Sequence, residues 1–174
     1  MAGWYAVPMR RAIGIAVHTG RGACVVVGGS LADPEILANE VVELLEKEER
    51  FCFHAAADMQ PAAAEKWVER VRQKALARAR REILRLTALS VSACAIVAKE
   101  GKPGRMADIL ASHPRIHTAE GFFYRDVFRD ASPVPVHIVP PASLDVTKVG
   151  KLASPPWGRD QKLAALAAWS IIGK

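Results

Sequence analysis

The chain has 174 residues and a formal net charge of +6, with 51% of its residues hydrophobic and 24% charged. That length builds one domain with a proper core and is too short for two comfortable ones, and the composition excludes a wholly disordered chain. The excess of 24 Lys+Arg over 18 Asp+Glu admits an anionic partner without demanding one.

No apolar run reaches the roughly 18–20 residues of a membrane helix. The longest, Ala12–Val17 and Ala23–Val27, are strand-sized. Met1–Arg11 ends in Arg10-Arg11, whereas a secretory leader carries its charge ahead of a long apolar region. Met9 offers a second start, so residues 1–10 read as an N-terminal extension before a single domain over 11–174. Cys24, Cys52 and Cys94 are odd in number, isolated and flanked by apolar residues, which predicts buried free thiols. Together these features predict a soluble, cytoplasmic protein without a membrane partner.

Arg11–His18 and Ala23–Gly28 are short runs rich in β-branched residues, joined by the hairpin-like Thr19-Gly-Arg-Gly22. Asp33-Pro34 marks a turn, and Glu35–Leu45 is assigned as a third strand extending the hairpin. Pro61–Leu89 is the clearest helix: Val68, Val71, Ala75, Ala79, Ile83 and Leu86 recur at three- and four-residue steps, and Pro61 suits a first turn. Val91–Ala98 reads as a buried strand and Gly101-Lys-Pro-Gly104 as a loop. Met106 to Asp130 is helical in pattern but must kink or restart at Pro114. Val134–Val139 contains a proline, which predicts an edge position or a strand start, and Asp160–Ile172 closes the chain as a helix.

The order β-β-β-α-β-α-β-α is that of an α/β domain with a mixed sheet and helices packed on it. It resembles the ribonuclease H-like fold, most closely its Holliday-junction-resolvase branch. Ile13–Val27 looks like the opening hairpin of those enzymes, and Ala95-Ile-Val-Ala-Lys-Glu100 like their fourth strand with its closing glutamate. Ala119-Glu-Gly121 is similar to a small–basic–Gly step in the helix that follows, and Asp160–Ala168 to the Asp-bearing, alanine-rich last helix. Two other segments, Ser112–Gly121 and Trp157–Lys162, resemble signatures of a bacterial protein family that carries no activity over to this chain.

The nuclease resemblance implies carboxylates that hold magnesium or manganese ions around a phosphodiester. It assigns Glu100 and Asp160 as metal ligands, with no organic cofactor. At the end of the first strand, however, this chain has His18 where the resemblance calls for an aspartate. A neutral imidazole brings no negative charge and suits zinc or manganese better than magnesium. A changed metal site, metal-free acid–base chemistry at His18, and a lost activity all stay open. So do plain structural roles: Asp160 as a helix N-cap, Glu100 as a charge leaving a strand, and His18 as a solvated loop residue.

His113, His117 and Glu120 form a second constellation, sharing one helical face if the helix runs through Pro114, which is a zinc-like donor set. If the helix instead restarts at Pro114, His117 and Glu120 remain neighbours. The implied topology gathers His18, Glu100, His117, Glu120 and Asp160 as the expected catalytic pocket. His54 and Asp58 form a weaker pair ahead of the long helix, and Thr19–Gly22 reads as a plain hairpin rather than a phosphate cradle.

Eight Lys or Arg and three Glu lie between Glu65 and Arg85. Six of them, Lys66, Arg70, Lys74, Arg78, Arg81 and Arg85, follow one face as a stripe about 28 Å long. The stripe fits a phosphate backbone, and it equally fits a solvated helix face. Phe122, Phe123, Tyr124 and Phe128 read as core or dimer packing, and Trp157 and Trp169 as cover for the sheet or a partner subunit. The Ala164–Ala168 face permits close packing and hence a homodimer. The resulting expectation is a nucleic-acid-binding protein with a metal-dependent phosphodiesterase activity and an atypical histidine-containing site. Its alternative is a non-catalytic interaction module that kept the fold and lost the carboxylates.

Overall fold

The computed structural model describes residues 10–172, so all of the expected N-terminal extension except Arg10 lies outside the described residues. Five strands form one sheet in the order β3-β2-β1-β4-β5: β1 Arg11–His18, β2 Arg21–Gly29, β3 Pro34–Glu43, β4 Val91–Val97 and β5 Val136–Val139. The first three make an antiparallel meander. The parallel pairs β1–β4 and β4–β5 are joined through helices, as parallel connections require. The helices are α1 Cys52–Ala55, α2 Pro61–Thr87, α3 Met106–Leu110, α4 His113–Ala131 and α5 Arg159–Ile172. The expected order is present, with the short helices α1 and α3 added to it.

His18 pairs with Arg21, so the hairpin turns through Thr19 and Gly20 alone, and Gly20 supplies the left-handed backbone at φ +78°. Pro114 falls in the first turn of α4, where its missing N–H costs nothing, so the segment from Met106 splits into α3 and α4. β5 is an edge strand that begins after Pro135, whose carbonyl still accepts from the Cys94 N–H at 2.9 Å.

Strand alternation gives the sheet one large face and one small face. Ile13, Ile15, Val26, Cys94 and Ile96 point toward α2 and α4 and are fully buried there. All six expected stripe residues of α2 are buried on this side, together with Phe123, Tyr124 and Phe128 of α4. The opposite face carries Ala12, Ala16, Ala23 and Ala95, and α5 lies on it. Gly14 permits the contact: a Cβ there would stand 1.8 Å from the Ala164 carbonyl oxygen.

This packing corrects the origin of the dimer expectation. Ala164, Ala165, Ala167 and Ala168 are all fully buried against the chain's own sheet, so that face is not presented to a partner. Trp157 and Trp169 pack on the same side, with the Trp169 indole N–H donating to the Gly28 carbonyl at 3.0 Å. All three cysteines are buried and free. Burial pushes each thiol up, Cys52 and Cys94 to about 12. Among the described residues no helix is long and apolar enough to cross a membrane.

Candidate functional site

The C-terminal ends of β1 and β4 open side by side at one edge of the sheet, and α4 passes across them. Between them lies a cleft of about 490 Å³ lined by Val17, His18 and Thr19 of the hairpin and Val97, Ala98 and Lys99 after β4. From α4 come His117, Thr118, Gly121 and Phe122. A second cleft of about 510 Å³, lined by Lys102, Pro103, Gly104, Asp108 and Arg115 among others, shares Thr118 and Phe122 with the first. The two therefore form one groove. The chain leaving β4 is held in place by the buried Arg125, which donates to the Lys99 carbonyl at 3.0 Å and stacks on the Phe122 ring.

The groove's charge is positive. Its cations are Lys99, Lys102 and Arg115, and Asp108 is ion-paired with Arg105 at 2.8 Å. That hydrogen-bonded guanidinium holds the Asp108 carboxyl below the usual carboxylate range. His18 and Asp160, 142 positions apart in sequence, meet at the groove's edge with Nε2 and Oδ2 separated by 2.9 Å. β1 ends at His18 and α5 begins at Arg159, so the sheet edge and the first turn of the last helix place them together. A carboxylate only accepts, so the ring donates from Nε2, and in its neutral form its lone pair is on Nδ1.

The other expected site residues part company. His117 lines the same cleft as His18. Glu100 is exposed just beyond β4 and has no hydrogen bond or ion pair among the described residues. Glu120 turns away from the groove into the core, where it is 2% exposed. Its Oε1 accepts from the Phe53 and His54 backbone N–H groups at 3.2 and 3.3 Å and from His54 Nδ1 at 3.0 Å. It is thus an anchor for α1.

Asp58 is exposed, away from any contact with His54 among the described residues. His54 instead faces α4, and its ring centroid lies 5.2 Å from His113 and 4.6 Å from His117.

Magnesium and manganese take oxygen ligands, several of them carboxylates. Asp160 is engaged by His18, Glu100 stands unpartnered at the surface, and the cleft lining contributes no carboxylate. The residues present at the ends of β1 and β4 do not make that oxygen cage.

The basic stripe of α2 divides in two. Lys74 pairs with Glu49, Arg85 with Glu40, and Arg78, Arg81 and Arg85 gather around Glu82 at 3.7, 3.0 and 3.3 Å. Hydrogen bonds from Arg81 and Arg85 hold the Glu82 carboxyl below its ordinary range. Lys66 and Arg70 have no carboxylate partner among the described residues, and Arg70 lies over the Trp67 ring at 5.6 Å. Trp67 in turn donates to the Cys52 carbonyl at 3.1 Å, so the unpaired end of the stripe is the end docked on α1.

Sequence reasoning misses Lys102 and Arg115 because single cations in a loop and a helix start carry no periodic signal. It misses the reach of His54 because that residue stands 59 positions before His113.

No family model matches the chain, and neither does any curated protein. Among solved structures, the chain is similar to Thermus thermophilus RuvC in complex with a Holliday-junction substrate. The TM-score is 0.52 at 16% identity, over 92% of this chain and 91% of that one. A second Thermus thermophilus RuvC structure gives 0.49 at 15% identity, over 92% of each chain. The likeness is one of fold, and it agrees with the mixed sheet, its strand order and the helices on both faces: the chain has the ribonuclease H-like fold.

Proposed function

We propose that this protein binds nucleic acid along the groove at the ends of β1 and β4. The observation that carries this reading is the groove's lining: Lys99, Lys102 and Arg115 have no ion-pair partner among the described residues, while its one carboxylate is paired. Lys66 and Arg70 extend the contact from α2, since their stripe-mates are already occupied by Glu40, Glu49 and Glu82. The RuvC structure similar to this chain holds a Holliday-junction substrate, which makes a four-way junction the first probe.

The test is fluorescence anisotropy with labelled duplex and four-way-junction DNA across a salt series. Lys102→Glu/Arg115→Glu is expected to weaken binding at least tenfold and to flatten the slope of log affinity on log salt by about 2, close to one for each phosphate left without its cation. Arg78→Glu/Arg81→Glu changes the net charge equally at already paired positions and is expected to do less. Equal effects of the two double variants would mean that total charge, not the groove, governs binding.

A phosphodiesterase reading is favoured by one specific contact, the His18–Asp160 pair. Asp160 fixes the orientation and tautomer of the ring, so that His18 Nδ1 accepts a proton from a water attacking a phosphate in the groove, while the P–O bond to the departing sugar oxygen breaks and that oxygen takes a proton from solvent. Glu100 is the remaining carboxylate of this proposed site. On this reading His18→Gln loses junction cleavage and keeps the anisotropy affinity. A chain that binds but never cleaves, with Glu100→Gln equally inert, is the non-catalytic module.

A further inference from the structure

The groove chemistry leaves three histidines unexplained. His54, His113 and His117 each offer a ring nitrogen, and the three nitrogens lie within 4.8 Å of one another. His113 and His117 stand one turn apart at the start of α4, with their Nε2 atoms 2.9 Å apart. Between neutral imidazoles at that distance one Nε2–H donates to the lone pair of the other Nε2, and both offer lone pairs once the donor ring carries its proton on Nδ1. The third ring enters from α1, with centroids 4.6 to 5.2 Å from the other two.

Glu120 explains why that third ring is held as a ligand. Its buried carboxylate accepts the Nδ1–H of His54 at 3.0 Å, which leaves the lone pair of His54 on Nε2. A carboxylate behind an imidazole fixes the tautomer, orients the ring and strengthens the free nitrogen as a ligand, as second partners of zinc-bound histidines do. The two backbone N–H groups on the same Oε1 keep the carboxylate in place and pin α1. Glu120 therefore stands behind the ligand set, and the zinc-like trio expected from sequence has His54 in the place that Glu120 was given.

We propose that His54, His113 and His117 form a zinc site whose fourth position opens to solvent beside the groove. Zinc sits about 2.0–2.1 Å from each imidazole nitrogen, which sets tetrahedral ligands roughly 3.3 Å apart. The His113 and His117 nitrogens stand at 2.9 Å and all three lie within 4.8 Å of one another, so small rotations of the exposed His113 and His117 rings complete the site. Nitrogen donors select zinc over magnesium. His117 also lines the groove, so the metal's open side faces the place where the proposed phosphate backbone lies. The site itself stands whether or not the groove takes nucleic acid.

The test is titration of the chelator-stripped chain with zinc sulfate against a chromophoric competitor, repeated with cobalt(II) by visible absorption. One equivalent is expected to bind, with cobalt bands of four- or five-coordinate intensity and no displacement by millimolar magnesium. Zinc is expected to shift the ring-proton resonances of His54, His113 and His117 and to leave those of His18 and His137 in place. His113→Ala/His117→Ala, both exposed positions whose fold is checked by circular dichroism, is expected to lose the saturable binding, while His18→Ala keeps it. Absence of a one-equivalent zinc site in the wild-type chain overturns the proposal. So does wild-type binding by the His113→Ala/His117→Ala variant, or a zinc-induced shift confined to His18.

Discussion

Gly14 sits in the middle of β1, between Ala12 and Ala16 on the face that receives α5. A methyl group there would stand 1.8 Å from the Ala164 carbonyl oxygen and 2.5 Å from its carbonyl carbon. Neither atom belongs to a side chain that could swing away, so relief requires α5 to lift off the sheet. Overpacking a core costs about 1–3 kcal/mol. A clash with backbone belongs at the top of that range, so Gly14→Ala is expected to cost about 3 kcal/mol. For a domain of this size each kcal/mol lowers the midpoint by about 2–4 °C, which gives a fall of about 6–12 °C by thermal circular dichroism. The same displacement moves Asp160, one turn before Ala164, and should release the His18 ring from its 2.9 Å contact. Gly121 is the control. It lies inside α4 with nothing within 4 Å of an added methyl, so Gly121→Ala is expected to stabilise by about 0.5–1 kcal/mol through helix propensity. A Gly14→Ala midpoint within about 3 °C of wild type would refute the close helix-on-sheet contact.

Two further outcomes follow from burial. Cys24, Cys52 and Cys94 hold their protons more tightly when folded, because burial disfavours the thiolate. A raised folded value means stability is complete below the unfolded thiol value of about 8.5 and is lost as pH rises above it, by about 1.4 kcal/mol per pH unit for each thiol. Urea denaturation at pH 8 and pH 10 should show this loss, and a chain with all three cysteines changed to alanine should show a flatter profile; identical profiles would contradict the burial. Glu120→Ala removes the acceptor of three N–H groups in the core and is expected to cost about 3 kcal/mol in the same assay, since each orphaned donor costs about 1–3 kcal/mol before relaxation. A loss below about 1 kcal/mol would mean that Glu120 does not anchor α1.

How much of the fold and the site is legible in the sequence depends on whether the deciding contact is local. The α2 stripe from Val68 to Leu86 can be read because helical period alone fixes which residues share a face. Glu120 is misplaced when only its three-residue step from His117 is used. It also stands four residues from Ile116 and from Tyr124 and three from Phe123, all buried, and that apolar stripe is a signal that its carboxylate turns inward. The alanines of α5 announce a close contact but not with what. Their partner is the small face of Ala12, Gly14, Ala16 and Ala23, which shows as small only after strand alternation separates it from Ile13 and Ile15.

Charge is the least legible property, because partners at long range redistribute it. Sequence places nearly the whole positive excess on α2, and there the fold brings Glu40 from β3 and Glu49 from the segment after it against Arg85 and Lys74. Exposed pairs of this kind add little stability, about 0–1 kcal/mol each, but they remove those cations from the field a polyanion would meet. The field that remains is set by residues with no pattern of their own: Lys99 where β4 ends, Lys102 in the following loop, and Arg115 in the first turn of α4. These three converge because parallel strands end on one edge of a sheet and the next helix must cross that edge to return. The same crossing sets His117 beside both the groove and His54, so one turn of α4 faces two sets of partners that the sequence keeps far apart.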